Sequence, residues 1–539
     1  MDTRRIIPLV KRVKCFVKDP RILGSSSTIR FLNQHSKDSN CNANENNDFK
    51  CLLPYSTDGK STQTFMHRII NKICGYLEDS NDRTSTVVDF KNPEQLAELV
   101  DLEIKRSGDT LEQMELHADQ ILKYSVKGAH PRFFNQLWSG IDPIVLCGDW
   151  LSSTTNTPML TYEIAPIQLL IEQQVLSTMK SLTGFTDGDG LFLPGGSMCN
   201  GMTIHLARYK HCPDIKKTGL SGFKSLIIYV SEECHYSFIK WASLLGIGSD
   251  NVVKIKTDDL TGKMRMDDLT NQIEASLKKG HQPLMVVATA GTTVGGAYDP
   301  MIEIADICAH HKLWFHVDGA WGGSALMSEK YKHLMAGCDR ADSMTWDPHK
   351  MMGLLQQCSF VLVKDKGLLE KCNSEDASYV FLKDKETYDG QKWDTGDKTV
   401  QGARRNDALK LWFMLKAKGL EGMDEEITRY FDNARYLGEI IKERKNFKLI
   451  REVECANICF QYVPPSLRQM ADGIEKDEAV SKIVPQIKKR MTDKGSMLIS
   501  YQPLKNTTNF FRAISCNPAQ TQQDMHFLVE EIDRLGENL

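Results

Sequence analysis

Lys350 sits in ADSMTWDPHKMMG (341–353), between an Asp-Pro turn and a Met-Met pair, where packing alone favours an apolar side chain. Other chemically capable groups precede it, each just beyond an apolar run of strand length. His235 follows SLIIYVSEEC, Thr292 and Thr293 follow LMVVATAG, and Asp318 ends LWFHVD. Upstream, PGGSMCNGM places Gly195, Gly196 and Ser197 between a strand and a helix, where free N–H groups can hold a phosphate. Taken singly these signals are weak, since an aspartate after a strand is often a helix cap. Taken in order, over about 155 residues, they meet the needs of pyridoxal phosphate. Its aldehyde needs an amine, which Lys350 offers. Its pyridine nitrogen needs a carboxylate, for which Asp318 is suited, and its phosphate needs the glycine turn. Its ring needs a flat partner, for which His235 is the candidate, and His349 is read as a neighbour of the phosphate.

The elements that must position these groups are legible as well. From about 160 to 410, short apolar runs alternate with amphipathic segments: IQLLIEQQVLSTMKSLTG, a helix stopped by Gly184, is followed by repeated strand–turn–helix units. Such alternation argues for an α/β fold with a largely parallel sheet covered by helices. Ligands then gather at the carboxyl ends of the strands. Residues 61–160 read as a helical block, with Phe65, Ile69, Ile70 and Ile73 on one stripe. Residues 411–539 read as a small α+β domain: a helix after Gly419, strand-like NICFQYV and a last helix, DMHFLVEEIDRLG. Residues 1–60, basic at first and then rich in Ser and Asn, read as a disordered arm. The basic start also admits a mitochondrial presequence, against which Asp2 and Asp19 count.

Composition removes several classes. The 539 residues carry 67 basic and 70 acidic side chains, a net charge of −3 that gives no field for nucleic acid. No run approaches the roughly 18 apolar residues of a membrane span. The 15 cysteines are odd in number and irregular in spacing, which fits a reducing, cytoplasmic setting better than a disulfide scaffold or a zinc site. His310-His311 has no partner cysteines and reads as a helix end, so no metal is expected.

The motifs PGGS, CHYS, ATAGTTV, HVDGAWGG, DPHKMMG, DTGDK and NFFR resemble those of the pyridoxal-phosphate decarboxylases of acidic amino acids: the glutamate, cysteine-sulfinate and aspartate decarboxylases. The resemblance runs from about residue 62 to Leu539. It implies the aminotransferase-like type I fold with a mostly parallel seven-stranded sheet, and a homodimer with active sites at its interface. It implies that Lys350 bonds the cofactor aldehyde, Asp318 faces the pyridinium, His235 stacks on the ring and Ala320 lies on the opposite face. It further implies that Gln136, in HPRFFNQLWSG, and Arg512, in NFFRAI, hold the substrate's side-chain acid. A guanidinium suits that task because it grips a carboxylate or sulfinate in a two-pronged fork. By the same resemblance Tyr379 belongs to a catalytic loop and returns a proton to Cα.

This sequence also departs from the family pattern. Gly319 stands where alanine is usual, which would loosen the backbone beside Asp318. Asp347 stands where asparagine is usual and adds a charge three residues from Lys350. QGARRND replaces QCGRR, and the segment after Tyr379 is about two residues longer than in glutamate decarboxylases. In LLQQCS, Gln356 replaces the usual leucine, as in insect aspartate decarboxylases, and can hydrogen-bond a shorter acid. Other stretches resemble the glutamate enzymes (TNTPMLTYEIAP) or the cysteine-sulfinate enzymes (SGIDP), so the three acids stay open as substrates. Two alternatives accompany this reading: a pyridoxal-phosphate enzyme of another reaction class, and a weak homologue that acts as a binding partner.

Overall fold

A computed structural model describes residues 49–375, 377–381, 386–504 and 507–539. Most of the expected arm, residues 1–48, and with it the presequence question, lies outside the described residues. Among the described residues, 49–70 with 103–118 form one compact unit, and 71–102 with 119–539 form the other. In the smaller unit Arg68 pairs with Glu115 at 3.0 Å, and Gln113 closes a reciprocal cap on Thr110.

The described residues of the larger unit form twelve strands: β1 Phe133–Phe134, β2 Asp189–Leu193, β3 Leu226–Ser231, β4 Val252–Ile255, β5 Gln282–Thr289, β6 Trp314–Asp318, β7 Ser343–Trp346, β8 Ser359–Val363, β9 Phe447–Leu449, β10 Asn457–Tyr462, β11 Leu498–Gln502 and β12 Phe510–Ile514. Seven of them form one sheet in the order β2-β8-β7-β6-β5-β3-β4. β8 runs antiparallel to β2 and β7, and the remaining neighbours are parallel. This is the α/β architecture expected, with seven strands. β3, β6, β7 and β8 are buried along their whole length because helices cover both faces; β3 and β8 are accordingly almost wholly apolar, whereas β7, Ser-Met-Thr-Trp, buries its two hydroxyls as well.

Register decides where the chemistry falls. Thr289 lies opposite Asp318 and Asp318 opposite Thr345, so β5, β6 and β7 end level with one another. The core beneath is rigid: Trp346, Phe360, Tyr229 and Phe315 are at most 1 % exposed, and the Trp346 indole donates to Ser324 Oγ at 3.1 Å. Emptying such a site typically costs about 3–5 kcal/mol. Helix Pro166–Thr183 ends at Gly184 (φ 78°), the left-handed cap its sequence announces. The helical segment Ala408–Glu443 kinks at Gly419.

The second sheet runs β1-β11-β12-β10-β9. β1, from within the stretch read as a helical block, pairs in parallel with β11, Phe133 opposite Leu498. That two-residue strand is too short to leave a periodic signal. In β12, Arg512 lies opposite Ser500 of β11 and Cys459 of β10.

Candidate active site

At the carboxyl end of the large sheet, Asp347-Pro-His349-Lys350 forms a turn closed by Lys350 N–H to Asp347 O at 2.9 Å. Met351 and Met352 are fully buried behind it, and the Lys350 side chain is only 22 % exposed. Its Nζ lies 3.1 Å from Asp347 Oδ2. His349 Nδ1 lies 2.8 Å from Cys358 O, and its Nε2 is 4.0 Å from Asp347 Oδ2. Burial lowers the proton affinity of His349, against the pull of Asp347.

Asp318, ending β6, is 4 % exposed, and burial pushes its carboxyl up against the pull of Lys350 and His235. Its Oδ2 accepts from Asn200 Nδ2 at 3.0 Å and its Oδ1 from Ala320 N at 3.2 Å, leaving each oxygen a free lone pair. Asn200 also donates to Ser237 Oγ at 3.1 Å, and that hydroxyl lies 2.9 Å from His235 Nδ1. One network therefore runs from Asp318 to His235. Asn200 and Ser237 are positioning groups that sequence reasoning missed. The available signal for Asn200 was a lone amide on the apolar face of MCNGMTIHL. Burial lowers the proton affinity of His235, opposed by Asp318. Gly319, expected to loosen this turn, also sits in a narrow place: a Cβ there would lie 2.6 Å from the Met344 methyl and 3.1 Å from Thr345 O.

The glycine turn leads from β2 into helix Gly196–His211. Gly195 holds φ 95°, a conformation that favours glycine. The N–H groups of Gly196 and Ser197 open the helix and have no acceptor within it. The turn is anchored by Arg404, which donates to Phe192 O at 3.1 Å and forks onto buried Glu172, Nη2 to Oε2 at 2.9 Å. A Cβ on Gly196 would lie 2.5 Å from Asp347 Oδ2, so the turn packs directly on that carboxylate.

Beside this cluster lies a cavity of about 760 Å³ whose lining includes His235, Thr293, Val294, Arg451 and Leu504. Thr292 does not face it. That hydroxyl is spent on the loop after β3, donating to Glu233 Oε2 at 3.3 Å, and on its own loop, accepting from Ala297 N at 3.2 Å. Arg512, 7 % exposed, donates from Nη1 to Thr293 O and from Nη2 to Asn135 O, both at 3.0 Å, and from Nε to Ser500 Oγ at 3.1 Å. It is thereby set beside Gln136, which is exposed. Among the described residues no carboxylate pairs with Arg512. Lys488, whose amine burial pushes down to about 8, donates to Asn135 Oδ1 at 3.2 Å.

Two predicted groups are not brought to Lys350 within this chain. Tyr379 is 88 % exposed. Gln356 is exposed too and lines a separate cavity of about 270 Å³ with Asp149, Pro194, Gln357, Gln401 and Arg405. Lys410, fully buried, fixes that loop by donating to Leu355 O at 3.2 Å and Gln357 O at 2.7 Å. Its signal in the sequence was a lysine inside the apolar ALKLWFML.

The pyridoxal-dependent decarboxylase conserved domain matches residues 93–463. The acidic amino acid decarboxylase GADL1 of Xenopus tropicalis is 47 % identical over 489 residues, 90 % of this chain and 94 % of that one. The crystal structure of mouse CSAD superposes with a TM-score of 0.87 at 42 % identity, covering 89 % of this chain and 100 % of the other. An Oryza sativa TDC structure with PLP and tryptamine shares the fold alone, with a TM-score of 0.81 at 21 % identity over 90 % of this chain and 99 % of that one.

Proposed function

This chain belongs to the pyridoxal-dependent decarboxylases, and from that premise we propose that its site removes the α-carboxylate of an acidic L-amino acid as CO2. The substrate is L-glutamate, L-cysteine sulfinate or L-aspartate, giving GABA, hypotaurine or β-alanine. The observation that carries this reading is Arg512: a buried guanidinium without a carboxylate partner among the described residues, beside a cavity and next to Gln136. A buried cation is costly unless an anion completes it, and the side-chain acid of such a substrate would do so.

The residues present fit pyridoxal phosphate. The opening N–H groups of Gly196 and Ser197 suit its phosphate, Lys350 Nζ its aldehyde carbon, and the free lone pairs of Asp318 its ring N–H. His235 and Ala320 suit the two ring faces, with Thr292 closing the loop behind and His349 beside the turn. Bound there, the cofactor supplies an electron-accepting ring for the charge left at Cα when CO2 departs. Asp318 keeps the proton on the ring nitrogen. His235, held by Ser237, fixes the ring plane and screens it from water. Arg512 and Gln136 hold the side-chain acid and so select which bond at Cα stands across the ring. Tyr379 Oη returns a proton to Cα.

Tyr379 and Gln356 act in this scheme across a homodimer. What supports that reading is their exposure, together with exposed apolar side chains within two residues of members of the Gln356 cavity, Leu151 and Val400. The thirteen described cysteines are all free, which supports a reducing, cytoplasmic setting. No described helix is long and apolar enough to cross a membrane. The test is release of labelled CO2 from carboxyl-labelled aspartate, glutamate and cysteine sulfinate, with glutamine and norleucine as neutral controls. Turnover of at least one acid and of neither neutral compound is expected. Turnover of the neutral compounds, or of none of the acids, sinks the proposal.

A further inference from the structure

Asp347 occupies an unusual place for a carboxylate. It is 2 % exposed, and both its oxygens lie against the first residue of helix Gly196–His211, at 2.5 and 2.8 Å from where a Gly196 Cβ would be. Its Oδ2 pairs with Lys350 at 3.1 Å, whereas its Oδ1 is buried without a hydrogen-bond partner. Two positive features therefore share this one anion: the Lys350 ammonium and the helix N-terminus. Asp318 is a second buried carboxylate, near enough for the Asp347 charge to push its proton affinity up.

We propose that Asp347 is a built-in counterweight to the cofactor phosphate, making this chain release pyridoxal phosphate faster than an uncharged residue there would allow. This rests on the reading of the Gly196 turn and Lys350 as the cofactor's anchors. A helix N-terminus favours a nearby anion, but two anions at the same end repel one another. Without the cofactor, Asp347 is balanced by Lys350 and the helix end together. With the cofactor in place, Lys350 no longer offers a free ammonium and the helix end serves the phosphate. Asp347 is then a buried negative charge facing a second one, with Oδ1 still unpartnered. An asparagine has the same shape, removes the repulsion and adds an N–H donor aimed at the same turn.

The experiment uses the full-length holoenzyme and follows loss of cofactor absorbance after dilution into excess apo-enzyme scavenger. Asp347→Asn should release pyridoxal phosphate about tenfold more slowly than the parent chain, which is about 1.4 kcal/mol. Release of pyridoxal, which lacks the phosphate, should be the same from both. Equal or faster release of pyridoxal phosphate from the variant overturns the proposal. So does an equal slowing for pyridoxal, which would place the effect at Lys350 instead. Should Asp347→Asn fail to fold by circular dichroism, Asp347→Ser carries the same expectation. Borohydride reduction separates the two levels of failure. Cofactor fixed on Lys350 with unchanged release sinks the counterweight alone, and absence of fixation sinks the anchor reading along with it.

Discussion

The Lys350 cluster and the Tyr379–Gln356 pair are built in opposite ways. In the first, Asp318, Asn200, Ser237 and His235 are joined by hydrogen bonds of 2.9–3.1 Å, and Lys350 is ion-paired beneath the Gly196 turn. Each member lies at the end of a strand of the large sheet, in the turn that follows one, or within the first turns of a helix, so its position follows from the sheet register. In the second, both side chains are exposed, and only the Gln356 loop is pinned, through Lys410. Electron chemistry needs groups that do not move, and a packed sheet supplies them. Substrate choice and proton return tolerate, and use, groups that arrive on loops.

The sharpest way to break this contrast is Lys350→Ala, expected to lower kcat on the order of 10⁴-fold or more, measured by CO2 release. Residual activity near that of the parent chain would mean that the cluster is not where bonds are made. Tyr379→Phe should cost about 10³-fold, the scale of a lost general acid. Mixing it with Lys350→Ala then tests the dimer: exchange of protomers should restore about a quarter of the parent activity, because one site in each mixed dimer is whole. No recovery after proven exchange would assign Tyr379 to its own chain's site. Arg512→Lys should lower kcat/KM about 10²-fold, mainly through KM, since an ammonium cannot make the fork. A fall in kcat alone would contradict a grip on the side-chain acid. The smallest effect belongs to Gln356→Leu, which should shift preference from aspartate toward glutamate or cysteine sulfinate by about tenfold. An unaltered ratio would leave Gln356 a loop residue only.

Legibility followed the physics of each element. β3, β5 and β6 could be read because strands buried on both faces leave nearly unbroken apolar runs, and the groups just beyond those runs could then be placed. Asn200 and Ser237 were hidden, since a polar residue on a buried helix face looks like any other until its partner across the sheet is known. Thr292 and Thr293 are adjacent and chemically alike, and only the fold shows that the first ties its loop to Glu233 while the second lines the cavity. The crowding beside Gly319 could not be read locally, because the Met344 methyl that comes within 2.6 Å of a Cβ there belongs to another strand.

By itself, then, the sequence determined the α/β class, the order of glycine turn, histidine, aspartate and lysine, and the chemistry these could support, because such features depend on local pattern and residue type. Tertiary structure alone decided which partners complete them. Asp347 against Gly196, Arg512 beside Asn135 and Lys410 under Gln357 are contacts between segments far apart in the chain. Such contacts are set by register and packing, which no local stretch of sequence encodes.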